Sequence, residues 1–186
     1  MVMLRTTNLT LGPCCPSDST DFIDLERDPE VMHFLNGGAV DHDTTDPNDV
    51  TFLMPRGTEP YVWTARRTVD GEFVGWFCLF PESETLAEIG YRLRRKHWGQ
   101  GLASEGAAAL VNWGFETTGY GRIVACTMSV NRGSRRVMEK IGMRHARTVS
   151  IDADHLPGSE YGEVWYELTR SEWTARCSSL PSIGIA

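Results

Sequence analysis

The residues with the clearest chemistry in this 186-residue chain form one run, Arg94-Arg95-Lys96-His97-Trp98-Gly99-Gln100-Gly101-Leu102-Ala103-Ser104-Glu105. The first turn of a helix carries N–H groups without intrahelical partners, and the dipole there favours an anion. Gly99 and Gly101 lack Cβ, so an anion can approach the backbone closely. Ala103 keeps the next position small, and four basic side chains flank the turn. The run reads as a phosphate or pyrophosphate cradle. It is not a Walker loop, because no Lys-Ser/Thr follows the second glycine. Nor is it the dinucleotide fingerprint, which needs a third glycine where Ser104 stands. A lone Gly-x-Gly turn is more often an ordinary tight turn, so its neighbours decide.

The elements that hold this run alternate between strand and helix. Residues 86–94 form a strand with Ile89, Tyr91 and Leu93 on one side and Glu88, Gly90 and Arg92 on the other. A helix from about Leu102 to Thr117 follows, its apolar face built from Ala103, Ala107, Leu110 and Gly114. Residues 122–130 are a strand with Val124, Cys126, Met128 and Val130 on one face. Asn131-Arg132-Gly133-Ser134 opens another helix, ending at Gly142. Upstream, residues 4–11 read as a strand, and Asp18 or Ser19 caps a helix running to about Leu35, stopped by Asn36-Gly37-Gly38. Strands at 61–69 and 72–80 are joined by Asp70-Gly71, a hairpin signal. The acidic stretch from Asp41 to Asp49 is a loop or short helix. Strands near 145–152 and 163–169 close a single domain over 1–173, with residues 174–186 a frayed tail.

Composition narrows the function. The longest apolar run, about Val74 to Phe80, is far short of the ~20 residues a membrane span needs. The amino terminus has no signal-peptide apolar core, so a cytoplasmic protein is expected. Five cysteines, at 14, 15, 78, 126 and 177, include no CxxC pair, which disfavours zinc and a disulfide framework; no metal is expected. The formal net charge of −7 disfavours nucleic acid as a partner. That charge is unevenly spread. Residues 1–60 hold 3 Arg against 11 Asp and Glu, net −8, and residues 92–147 hold 11 Lys and Arg against 3 Glu, net +8. Two solvated faces would account for this, and so would an anionic and a cationic ligand bound side by side.

Glu88-Ile89-Gly90-Tyr91-Arg92-Leu93 followed by Trp98-Gly99-Gln100-Gly101-Leu102-Ala103-Ser104-Glu105 resembles the acetyl-coenzyme A signature of the GNAT acyltransferase superfamily. With Trp98 in the motif, it is similar to the branch that includes ribosomal-protein N-terminal acetyltransferases. A second hallmark lies in Asn131-Arg132-Gly133-Ser134 and the Glu139-Lys140-Ile141-Gly142-Met143 that ends the helix, where Met143 replaces the usual Phe. Asp28-Pro29-Glu30-Val31-Met32 also fits, so the likeness covers about residues 4–173. It implies an α/β (α+β) fold: a mixed, mostly antiparallel twisted sheet with helices on both faces and two splayed central parallel strands, 86–94 and 122–130.

The resemblance also implies roles. The backbone of Tyr91 and Leu93 would pair with the pantetheine arm of acetyl-CoA. The N–H groups of Gly99, Gln100, Gly101, Leu102, Ala103 and Ser104 would take the pyrophosphate. Asn131 would reach pantetheine or phosphate, and Arg94, Arg95, Lys96 and Arg135 the ribose phosphate. Glu88 is the first choice of general base, Glu163 the second, and Ser134 the group that protonates the leaving thiolate. Asn131 or Ser134 serves equally well as a helix cap. Tyr161 and Tyr166 are weaker proton donors and His97 is solvated. Cys78, Cys126, Trp63, Trp76 and Trp165 belong to the core, with Trp76 also a candidate wall for the acceptor.

The implied activity is acetyl transfer from acetyl-CoA to a primary amine by direct attack, on a small molecule or a protein N-terminus. A catalytically idle acyl-CoA-binding or sensing module is the rival reading, and a homodimer is admitted as the assembly. The acidic stretch favours a cationic acceptor, steered by Asp41, Asp43, Asp46 and Asp49.

Overall fold

The computed structural model describes residues 2–44 and 57–179. The expected first strand is two, β1 (Leu4–Arg5) and β2 (Leu9–Pro13). Thr6 N–H donates to the Leu9 carbonyl at 2.9 Å, and Leu9 N–H donates to Thr6 Oγ1 at 3.0 Å. Thr6-Thr7-Asn8 therefore turns the chain back on itself. The expected long helix is also two, α1 (Ser19–Glu26) and α2 (Pro29–Asn36). Asp28 precedes a proline and is extended, as the proline ring demands. Its carboxylate caps α2 by accepting from Glu30 N–H at 3.0 Å.

The elements that carry the site fall close to expectation. They are β3 (Val62–Arg67), β4 (Phe73–Pro81), β5 (Leu86–Leu93), α3 (Leu102–Thr117), β6 (Arg122–Met128) and α4 (Arg132–Lys140). The β3–β4 turn spans Thr68 to Gly71 and is closed by Arg67 N–H to Glu72 carbonyl at 2.9 Å, wider than a two-residue hairpin. β7 (Arg144–Val149) is shorter than expected, and β8 (Glu163–Thr169) leads into α5 (Arg170–Ser179). α5 carries the chain to Ser179, and residues 180–186 of the expected tail lie outside those described. No described helix is long and apolar enough to cross a membrane.

The strands form one eight-stranded sheet in the order β1-β2-β3-β4-β5-β6-β8-β7. Every neighbouring pair is antiparallel except β5 and β6. Strand alternation divides the core in two. One cluster, with Trp63, Phe77, Leu79, Ile89, Leu110, Phe115 and Ile123, lies on the α3 side. The other, with Phe22, Leu25, Val31, Val62, Phe73, Trp76 and Cys78, lies under α1 and α2. Helices therefore cover both faces, as the resemblance implies. Trp165 departs from the expected core position: it is half-buried, with the Arg147 guanidinium 4.5 Å from its ring centroid.

The seating of α3 on β4 has little tolerance. A Cβ at Gly106 would lie 2.3 Å from Cζ of Phe77, a fully buried ring. Gly106→Ala is expected to over-pack this contact at a cost of about 1–3 kcal/mol and to lower Tm by roughly 2–10 °C. A thermal melt showing no change would mean that Phe77 has room to shift.

Candidate active site

β5 and β6 pair over only three positions, Leu86↔Arg122, Ala87↔Ile123 and Glu88↔Val124, and then part. β5 stays paired with β4 along its length, so the opening lies on its other edge. Arg94 N–H donates to the Val74 carbonyl of β4 at 2.8 Å. Successive residues turn their backbone groups to opposite edges, so Leu93 and Tyr91 face the opening. The Leu93 carbonyl accepts there from the Trp98 indole N–H at 2.8 Å.

A cavity of about 1430 Å³ occupies the opening. At one end is the start of α3. Gly99 and Gly101 have φ of +73° and +82°, values that suit glycine. A Cβ at either would meet no protein atom within 4 Å, so the space in front of the turn is open. Gly101 is the N-cap of α3 and no side chain caps the helix. Gly99, Gly101, Leu102, Ala103 and Ser104 line the cavity.

The structure corrects the basic residues expected here. Gln100 does not line the cavity; its side chain donates to the Lys96 carbonyl at 2.8 Å and braces the turn. Arg94 turns away to Asp21, at 2.9 Å, with its guanidinium 4.9 Å from the Phe73 ring centroid. Arg95 faces a separate shallow pocket with Arg94, and Lys96 pairs with Glu72. Arg135 donates to Tyr166 Oη at 3.2 Å and to the Ser129 carbonyl at 3.0 Å. The cavity is lined instead by Arg132, Arg136 and Lys140. Their i, i+4, i+8 spacing puts all three on one face of α4, a periodicity legible in the sequence. His97 is not solvated: it is 3% exposed, lines the cavity, and burial pulls its pKa down.

At mid-cavity, Asn131 caps α4: its Oδ1 accepts from Ser134 N–H at 3.2 Å and its Nδ2 donates to Thr127 Oγ1 at 3.1 Å. The Ser134 and Tyr91 hydroxyls lie 3.0 Å apart, and Tyr91 Oη also donates to the Ser134 carbonyl at 3.1 Å. Burial pushes the Tyr91 phenol up to about 12, so it keeps its proton at neutral pH. Tyr161 is exposed, and Tyr166 is buried with its hydroxyl donating to Glu139 at 2.9 Å. Neither tyrosine lines the cavity.

On the opposite face of β5, Glu88 sits at the last β5–β6 pair, half-buried and lining the cavity. Burial raises its pKa, and the negative charges of Glu82 and Glu163 push the same way. Cys126, expected in the core, lines the cavity and donates its thiol to Glu88 Oε1 at 3.5 Å. Burial and the two carboxylates Glu88 and Glu163 raise the thiol's pKa, so it stays protonated. Glu163, at the start of β8, also lines the cavity. The far wall comes from α2 and the 151–156 loop, with Phe34, Leu35, Ile151 and Leu156, and from Trp76, Cys78 and Phe80 of β4. The structure thus brings Glu88, Ser134, Glu163, Tyr91, Leu93, Asn131 and most of the glycine turn to one cavity.

A sheet parted at one parallel pair, an uncapped glycine turn beyond it and carboxylates at the fork make up the architecture of an acetyltransferase. The chain belongs to the GNAT acetyltransferase family: the family described as acetyltransferase (GNAT) domain matches residues 8–144. Among similar proteins is one from Aspergillus fumigatus named FsC-acetyl coenzyme A-N(2)-transacetylase. It is 36% identical over 181 residues, 91% of this chain and 77% of that protein. A GNAT-family acetyltransferase from Bacillus anthracis has the same fold, with a TM-score of 0.78 at 24% identity over 92% of this chain and 100% of its own. So does an aminoglycoside acetyltransferase, AAC(6')-Ib, crystallised with coenzyme A, with a TM-score of 0.66 at 17% identity over 90% of this chain and 98% of its own.

Gly101→Val would place branched methyls in the open space before the turn and impose left-handed strain of about 1–2 kcal/mol. The variant is expected to remain folded but to bind coenzyme A at least about tenfold more weakly, a loss of about 1.4 kcal/mol by calorimetry. Unchanged affinity would remove the cradle assignment.

Proposed function

We propose that this protein transfers an acetyl group from acetyl-CoA to a primary amine by direct attack, without a covalent enzyme intermediate. The observation that carries this reading is Glu88, a carboxylate of raised pKa at the fork of the sheet, in the same cavity as the glycine turn and the Ser134–Tyr91 hydroxyl pair. The open space before Gly99 and Gly101, beside an uncapped helix start, suits a pyrophosphate, and the cavity of about 1430 Å³ runs from that turn to Glu88 and Glu163. The A. fumigatus relative, named for an N(2) transfer, supports a nitrogen acceptor.

Acetyl-CoA, when bound, supplies an acyl thioester whose carbonyl carbon an amine can attack. The α3 N–H groups from Leu102 to Ser104 would hold its phosphates, with Arg132, Arg136 and Lys140 of α4 beside them. Tyr91 and Leu93 would orient the arm from the open edge of β5. An amine reaches the cavity as an ammonium and must lose a proton to attack, and amines titrate near ~8 at a chain terminus and near ~10 on lysine. Glu88 takes that proton at its carboxylate, directly or through water. Cys126 and Glu163 flank Glu88, and their neighbourhood favours an ammonium at the mouth. Ser134 holds a proton at Oγ for the departing sulfur, and Tyr91 Oη can replace it.

The acceptor is therefore a primary amine that arrives charged. Of the aspartates read as steering charges, Asp41 and Asp43 are exposed and do not line the cavity, and Asp46 and Asp49 lie outside the described residues. Any pull they exert is long-range and screened beyond a Debye length of ~8 Å.

The raised Glu88 pKa gives a pH signature. As a base Glu88 works ionised, so activity should fall as pH drops through a value above the ordinary carboxylate range. Glu88→Gln should remove that limb from the pH profile of kcat/KM, leaving the limb set by the acceptor amine. If Glu88→Gln keeps the limb and Glu163→Gln abolishes it, Glu163 is the base. Ser134→Ala should lower kcat by about 10²–10⁴-fold with coenzyme A affinity nearly intact; a small effect would leave the Ser134 hydroxyl only a structural partner of Tyr91.

A further inference from the structure

Of the arginines, lysine and carboxylates lining the cavity, the mechanism leaves Arg92 and the exposed Glu30 unused. Arg92 is two positions beyond Gly90 on the Glu88 face of β5 and lines the cavity. It is 7% exposed, and its Nε and Nη1 are sealed from solvent without a hydrogen-bond partner. Glu26 Oε1 lies 3.7 Å from Nη1, close enough to balance charge and too far for a hydrogen bond. The guanidinium is 5.3 Å from the Trp76 ring centroid, and Trp76 is its direct partner across the β4–β5 register. Burial lowers the Arg92 pKa to about 10, which leaves it charged at neutral pH.

A buried guanidinium with unmet N–H groups is costly, and the ligand that best relieves the cost is a planar, two-oxygen anion. The cation–π contact with Trp76 helps hold the guanidinium in position. Of the other basic side chains along the cavity, Arg132, Arg136 and Lys140 are exposed on α4, His33 and His155 are exposed on the far wall, and His97 belongs to the glycine turn. The floor between Glu88 and Arg92 is Gly90 with the Cys78 thiol packed over it, small and uncharged. Four residues of strand set their Cα atoms about 13 Å apart, and both side chains shorten that span.

We infer that Arg92, braced on Trp76, binds a carboxylate of the acceptor. The substrate class is then a zwitterionic amino acid in the broad sense, its amine toward Glu88 and its carboxylate toward Arg92, a few methylenes apart. This inference rests on the acetyltransferase reading above and names the substrate class for the same cavity. It also sorts the acceptors admitted by the sequence: a polyamine or aminoglycoside offers Arg92 only repulsion, whereas an amino acid satisfies both ends.

The test compares ω-amino acids of about two to seven methylenes, the range that spans the floor, with the matching ω-amino amides, following free thiol release from acetyl-CoA. The carboxylate should exceed the amide in kcat/KM by about 10-fold to 100-fold at the best length, and Arg92→Met should erase that ratio while Arg92→Lys keeps part of it. Because Arg92→Met removes a positive charge from beside buried Glu26, which also meets His42 at 2.6 Å, the Arg92→Met/Glu26→Gln double variant is measured beside it. Equal rates for acid and amide in the wild-type protein would overturn the inference while leaving the acetyltransferase reading intact. If no amine released thiol, that reading would fail, and calorimetry of 6-acetamidohexanoate against 6-acetamidohexanamide, with coenzyme A present, would judge Arg92 alone. Tighter binding of the acid that is lost in the variants would uphold the carboxylate site, and equal or absent binding would reject it.

Discussion

The parting of β5 from β6 after Glu88↔Val124 is the constraint on which the rest of the molecule depends. A parallel pair left unpaired over half its length exposes backbone groups that a folded chain rarely leaves without partners. Two local devices hold the fork open. The Tyr91 hydroxyl reaches across it to Ser134 of α4, and the Trp98 indole occupies the Leu93 carbonyl. Both draw β5 toward the helices and away from β6. β6 compensates by pairing over seven positions with β8, so the sheet loses no edge that is not also a wall of the cavity.

The same fork explains why the chemistry divides between the two sides of one strand. Odd-numbered residues of β5 point toward α3 and α4, where Tyr91 meets Ser134. Even-numbered residues point toward α1 and α2, where Glu88 and Arg92 meet the acceptor wall. In the proposed reaction, the proton removed from the amine and the proton given to the leaving sulfur would be handled on opposite faces, by groups that do not share one hydrogen bond. Burial tunes each in the useful direction: it raises Glu88 toward the pH at which an amine needs a base, and it keeps Tyr91 protonated.

Much of this arrangement is legible in the sequence because it rests on short-range rules. Alternation in 86–94 separates Glu88 from Tyr91, and the glycine turn marks the start of α3, because strand period and left-handed φ leave direct traces in residue type. What escapes is decided by tertiary partners. Arg94 and Arg135 look as suited to phosphate as Arg132 and Arg136, until Asp21 draws one aside and Tyr166 the other. His97 reads as a polar loop residue, but the short turn after Arg94 buries it beside Glu72. The break at Asp28-Pro29 is different, since the residue pair states it outright and an apolar pattern running across the break hides it. Cys126 shares its face with Val124 and Met128, so alternation alone cannot separate a core thiol from one that lines the fork.

Arg92 shows why a buried charge calls for its own account. Charge balance alone would be met by its pairing with Glu26, and replacing such a pair with apolar residues is often neutral or stabilising. A pair that serves only stability gains most from close contact, yet this one stands at 3.7 Å with donor N–H groups unfilled. Glu26 balances the charge of the guanidinium, Trp76 lies against it, and neither fills the Nε and Nη1 donors. That combination of fixed position and unmet donors is the signature of a group pre-organised for a ligand, because reorganisation has been completed before binding. Glu88 at the other end of the same floor is pre-organised by the same means, with the Cys126 thiol holding its carboxylate and burial raising its proton affinity. The strand thus carries two poised groups of opposite charge on one face, and a molecule carrying both an amine and a carboxylate is the simplest one that answers to both.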